Sequence, residues 1–123
     1  MAIEEAEQHL TAGIEAYRAG DVATAISELE EATRLDHSSA KAFMYLGAAY
    51  GATGKYNQAV GAFKAAEQLS PNDAKVHFNI AQAYEAAGSP HEAEYEYEKA
   101  LGIDPNYPRA VQALAELRAR MHH

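Results

Sequence analysis

Four histidines stand clear of the C-terminal end, His9, His37, His77 and His91, and imidazole is the first place to look for chemistry. It is the commonest metal ligand and the commonest general base. His91-Glu92 has the opening of a zinc-protease helix motif but not the second His that completes it. The serines fall at turns (Ser38, Ser39, Ser70, Ser89) or on a helical face (Ser27), with no nucleophile elbow around them. The absence of Cys removes disulfides, thiolate metal sites and cysteine nucleophiles together. The glycines are spread along the chain, so none forms a phosphate-cradling loop. The histidines therefore read as packing or surface residues. Neither catalysis, nor a cofactor, nor a metal site is expected.

Charge and composition narrow the alternatives. The chain has 123 residues, enough for one domain, and a net charge of -8. That balance argues against a nucleic-acid partner, whose phosphates need a basic face. Seven acids lie between residues 6 and 39 and six between 74 and 107, whereas Arg109, Arg118 and Arg120 make the end basic. These charges read as solvated faces. No apolar run reaches the roughly 20 residues that span a bilayer, and the start has no signal-peptide pattern. A cytoplasmic location is expected. Met121-His122-His123 reads as a tag remnant and carries no functional weight.

The elements that position these residues repeat. Units beginning at Ala6, Ala40 and Ala74 align at an offset of 34 residues without insertion. Gly20, Gly54 and Gly88 share one column; Ala25, Ala59 and Ala93 another; Ala32, Ala66 and Ala100 a third. A period of this length marks a stacked array in which each unit buries its apolar face against its neighbours. Within a unit, Phe43, Leu46, Gly47 and Tyr50 recur at helical spacing. Gly54 then breaks the pattern, and a second stripe follows from Tyr56 to Leu69. His91 to Glu98 alternates like a strand, yet its register with the earlier units predicts a helix, opened by a capping box at Ser89-Pro90-His91-Glu92. A last helix from Pro108 to about Arg120, with Val111, Leu114 and Leu117 on its apolar side, reads as a cap. His9 and His77 occupy equivalent places two units apart, out of reach of a shared metal.

These columns closely resemble the tetratricopeptide repeat family. In the middle unit the resemblance is carried by Phe43, Leu46-Gly47, Tyr50, Gly54, Tyr56, Ala59, Phe63, Ala66 and Pro71. The resemblance implies an all-α fold: an α-solenoid of three helix-turn-helix units, residues 6–39, 40–73 and 74–107, in a right-handed superhelix closed by a capping helix at 108–120. It also implies that the first helix of each unit lines a concave groove where a peptide or helix of a partner docks.

On that reading, Leu10, Ile14 and Tyr17 of the first unit face the groove, followed by Lys41, Met44, Tyr45 and Ala48. Lys75, Phe78, Asn79 and Gln82 come next, and Arg109 comes from the cap. Leu10, Ile14, Met44, Tyr45 and Phe78 lie outside the packing columns and predict an apolar floor. Lys41, Lys75 and Arg109 each follow the first residue of a unit and predict a basic edge suited to an acidic partner surface. The Lys and Asn clamp by which some family members grip a chaperone carboxylate is not matched: its places hold Leu10 and Ile14, then Tyr45, then Lys75 and Asn79, and only Lys75 fits. The expected function is a non-enzymatic adaptor or scaffold. The second reading is a self-assembly module using repeat ends or outer faces, with Tyr95 and Tyr97 as candidates.

Overall fold

The computed structural model describes residues 2–122 and, among them, consists of seven α-helices joined by short turns. They are α1 (Ala2–Arg18), α2 (Val22–Leu35), α3 (Ala40–Ala52), α4 (Tyr56–Leu69), α5 (Ala74–Ala86), α6 (Pro90–Ile103) and α7 (Pro108–Met121). Each helix packs on the next, pairwise within a unit and again between units, so the chain is an α-solenoid.

Inside each unit the turn is the same device. Gly20, Gly54 and Gly88 take φ of 84°, 79° and 83°, a left-handed conformation that side-chain-bearing residues avoid. In the middle unit Gly54 N–H donates to Gly51 O at 3.1 Å and Lys55 N–H to Tyr50 O at 2.9 Å. That pair of bonds is a Schellman motif, and it recurs around Gly20 and Gly88. The turns between units rely instead on N-caps: Ser39 Oγ accepts from Ala42 N at 3.1 Å, and Asp73 Oδ1 from Lys75 N at 3.0 Å. The Ser89 side chain makes no such bond, so the capping box expected there is not formed. Pro90 at the first helical position opens α6, and the Ser89 carbonyl accepts from Ala93 N–H at 3.1 Å.

Small residues let the paired helices approach. Ala25, Ala59 and Ala93 are fully buried. Gly13 and Gly47 face Leu29 and Phe63: a Cβ built on Gly47 lands 2.6 Å from the Phe63 ring. In the third unit Ala81 holds the corresponding place, with Tyr97 buried on α6. The core divides at α5. Val76, Ile80 and Ala83 join the cluster of α2, α3 and α4, whereas Phe78 and Ala81 join Tyr97, Leu114 and Leu117. Val111, expected on the apolar side of α7, is exposed, and Ala110 is buried in its stead.

Two buried tyrosines reach across helices. Tyr50 Oη donates to Glu30 Oε2 at 2.5 Å, and Tyr97 Oη to Glu85 Oε1 at 2.5 Å. Burial and then the neighbouring carboxylate push the Tyr50 phenol up to about 12, and the same causes raise Tyr97 further.

Gly47→Ala drives a methyl into a buried ring and should destabilise by about 1–3 kcal/mol in urea unfolding. Gly61→Ala, in open space within α4, should stabilise by about 0.5–1 kcal/mol in the same assay. The raised tyrosines stabilise the fold below the unfolded-state pKa of about 10 and lose that contribution as pH rises toward the folded value. Melting temperature should therefore fall between pH 10 and 12. Tyr50→Phe/Tyr97→Phe should show a shallower fall.

Candidate functional site

The first helices of the units, α1, α3 and α5, share one face, and the Schellman turns bring the start of α4 up beside it. A shallow cavity of about 320 Å³ lies there, lined by Tyr17 of α1, Gly47, Ala48 and Gly51 of α3, Tyr56 of α4, and Asn79, Gln82 and Ala86 of α5. At its α1 side the Tyr17 and Tyr45 rings meet edge to face, with centroids 6.1 Å apart at 80°. Arg18 extends an NH2 group to Tyr45 Oη at 3.4 Å. Both tyrosines are half-buried, so each keeps an exposed surface.

The groove residues read from the sequence divide into three groups. Tyr17, Ala48, Asn79 and Gln82 come together in the cavity, with the Tyr45 ring set edge to face against Tyr17. Leu10 and Met44 are half-buried against the core, and Leu10 lines a separate cleft with Ala6, Asp36, Ser39 and Ala42. Ile14 and Phe78 are not floor at all: they are 8% and 1% exposed. The reason for Phe78 is local. Tyr107 stacks on its ring at 5.2 Å and 23°, Tyr97 lies at 5.8 Å, and the Arg109 guanidinium covers it at 4.8 Å. The cap thus closes over the very side chain that the repeat register assigns to the groove.

Gly47, Gly51, Tyr56 and Ala86 also line the cavity and were not expected there. Tyr56 had a legible signal. It opens the second helix directly after the Gly turn, the point at which that helix comes level with the groove. Lys41, Lys75 and Arg109 are exposed, and none makes an ion pair among the described residues. Arg109 is instead held over Phe78, which leaves the two lysines as the free part of that edge.

A tetratricopeptide repeat model matches residues 10–50 and 46–108, most of the chain. This chain belongs to the tetratricopeptide repeat family. Solved structures of the family superpose closely. The TPR domain of Arabidopsis OM64 aligns at a TM-score of 0.90 and 23% identity, over 97% of this chain and 98% of that one. The first TPR of Spaghetti (RPAP3), bound to the HSP90 peptide SRMEEVD, aligns at 0.92 and 20%, over 98% and 96%. PcrH in complex with the chaperone binding region of PopD aligns at 0.86 and 26%, over 94% and 92%. No curated protein matches this sequence. No described helix is long and apolar enough to cross a membrane.

The burial difference within the predicted floor is directly measurable. Phe78→Ala should cost about 3–5 kcal/mol in urea unfolding, the scale of an emptied aromatic core site. Tyr45→Glu, which removes a half-buried ring and its contact with Tyr17, should cost less, about 1–2 kcal/mol.

Proposed function

We propose that this TPR domain is a non-enzymatic interaction module that holds a peptide or amphipathic helix of another protein in its groove. The observation that carries the reading is the Tyr17–Tyr45 pair at the rim of the cavity. Two aromatic rings pack one side against the core and keep the other side open at the cavity. Tyrosine contributes large contact area with few rotatable bonds and a hydroxyl for polar anchoring. Asn79 and Gln82 at the other side of the cavity offer donors and acceptors to a peptide backbone. Lys41 and Lys75, without ion pairs among the described residues, would favour an acidic flank on the ligand. PcrH and RPAP3, both similar in fold, hold segments of other proteins, which supports the same class of use here. The HSP90-type carboxylate grip is not part of this proposal, because Leu10, buried Ile14 and Tyr45 stand where its polar groups belong.

Self-assembly is the second reading. Its support is narrower than the sequence implied, since Tyr97 is fully buried and only Tyr95, 59% exposed on α6, remains for an outer-face contact. Ile3, Leu69, Ile103 and Val111 are the other large apolar residues exposed.

Selection of a displayed random-peptide library tests the groove. Wild type should enrich peptides that combine apolar anchors with acidic residues. Those peptides should lose binding at least tenfold, about 1.4 kcal/mol, to Tyr45→Glu/Gln82→Arg protein of unchanged helicity. Retained binding by that double variant would move the site off this face. Enrichment of nothing, together with a mass that grows with concentration, would favour self-assembly.

A further inference from the structure

Three side chains far apart in sequence converge where the second and third units join. Glu67 comes from the end of α4, His77 from α5 and Glu96 from α6. His77 Nε2 lies 3.1 Å from the Pro71 carbonyl oxygen, a partner that can only accept, so this nitrogen carries hydrogen. Nδ1 is thereby turned to the carboxylates, 3.0 Å from Glu96 Oε1 and 3.2 Å from Glu67 Oε2. Of the two, only Glu96 meets Nδ1 in hydrogen-bond geometry. Glu67 Oε2, shielded from solvent, accepts no hydrogen bond among the described residues. An orphaned buried carboxylate oxygen is costly and calls for an explanation. Lys99 Nζ does not supply one, because at 3.8 Å it is beyond hydrogen-bond distance and lies over the Tyr95 ring.

We propose that Glu67, His77 and Glu96 form a binding site for a divalent transition-metal ion of the zinc class. Zinc takes imidazole nitrogen and carboxylate oxygen at about 2.0–2.2 Å, so neighbouring ligand atoms of a tetrahedral site stand about 3.4 Å apart. The two distances from Nδ1 are close to that edge, and the three ligand atoms all fall within 4.8 Å of one another. The Pro71 carbonyl does what the outer shell of a metal site does, fixing the tautomer and the ring plane of the ligating histidine. A cleft lined by Glu67, Pro71, Asn72, His77 and Lys99 gives an ion a way in and leaves room for water as a further ligand.

The repeat itself provides an internal comparison. In the middle unit the places of His77 and Glu96 are held by Phe43 and Ala62, an apolar pair that packs the same joint. Packing therefore does not demand a buried His and Glu here, and buried charge is expensive compared with such a pair. The first unit repeats the pair as His9 and Glu28, 2.8 Å apart but half-exposed, and no earlier helix brings a third carboxylate to it. His9 is therefore the natural control.

The test uses the full chain with His122→Ala and His123→Ala, so that the terminal imidazoles do not bind metal, titrated calorimetrically with zinc chloride alone. One equivalent should bind with micromolar or tighter affinity. Glu67→Gln and His77→Gln should each weaken it by about tenfold or more. His9→Gln should leave it unchanged. Cobalt(II) should give visible d–d bands that Glu67→Gln abolishes. Should His77→Gln fail to fold by circular dichroism, Glu67→Gln decides, since that side chain is partly exposed and the amide keeps its shape. No saturable zinc binding, or Glu67→Gln binding as tightly as the parent, overturns the proposal.

Discussion

Everything in this molecule depends on how closely the two helices of a unit approach. The contact is small against large: Gly13 under Leu29, Gly47 under Phe63, Ala81 in the corresponding place beside Tyr97. Packing at that distance leaves no room for a Cβ at Gly47, yet it places the large partner at 0–6% exposure in every unit. The same geometry sets the angle at which the next unit stacks, and hence which faces of α1, α3 and α5 remain open. The Schellman turns at Gly20, Gly54 and Gly88 serve that contact by reversing the chain in the fewest residues.

That contact is periodic, so it was legible in the sequence, and with it the seven helices and their pairing. What periodicity conceals is any place where equivalent residues have different neighbours. Leu10, Met44 and Phe78 share a column, but only Phe78 is followed by a cap that brings Tyr107 and Arg109 over it. Ser39 and Asp73 hold the positions equivalent to Tyr107, and both are used as polar N-caps. One aromatic substitution at the last turn thus converts a groove position into core. The approach of Glu67, His77 and Glu96 was hidden for a related reason: each lies on a different helix, and no spacing along one element announces the meeting.

Charge shows the same dependence on neighbours. The acids of the third unit and the basic end of the chain read as separate solvated faces, but α7 lies across α5 and α6 and pairs them. Arg118 Nε donates to Glu94 at 2.8 Å and its NH2 group lies 3.4 Å from Glu98, while Arg120 reaches Glu85 at 2.5 Å. Arg118 holds the Glu94 carboxyl below the usual carboxylate range. The like-charge spacing of Glu94 and Glu98 along α6, unfavourable in an isolated helix, is relieved by a shared arginine from the cap. Exposed pairs of this kind add little stability singly. Their sum orients a helix whose own buried face is only Ala110, Leu114 and Leu117.

The three units also act as controls for one another. The column of Ala25, Ala59 and Ala93 at the helix contact keeps one size throughout, because packing there leaves no room for more, while its large neighbours change from Leu29 to Phe63 to Tyr97. Columns on the open side of the first helices vary more: Thr11, Tyr45 and Asn79 share one; in another Ile14 is buried while Ala48 and Gln82 line the cavity; in a third Tyr17 and Gly51 line it while Glu85 turns to Tyr97 and Arg120. The column of His9, Phe43 and His77 varies in the same way at the joint between units. Where the fold tolerates an aromatic, an amide or a glycine at equivalent places, stability does not choose among them. On the readings proposed above, those identities would answer to what each unit touches beyond its neighbours: a ligand segment at Tyr17, Tyr45, Asn79 and Gln82, and an ion at His77.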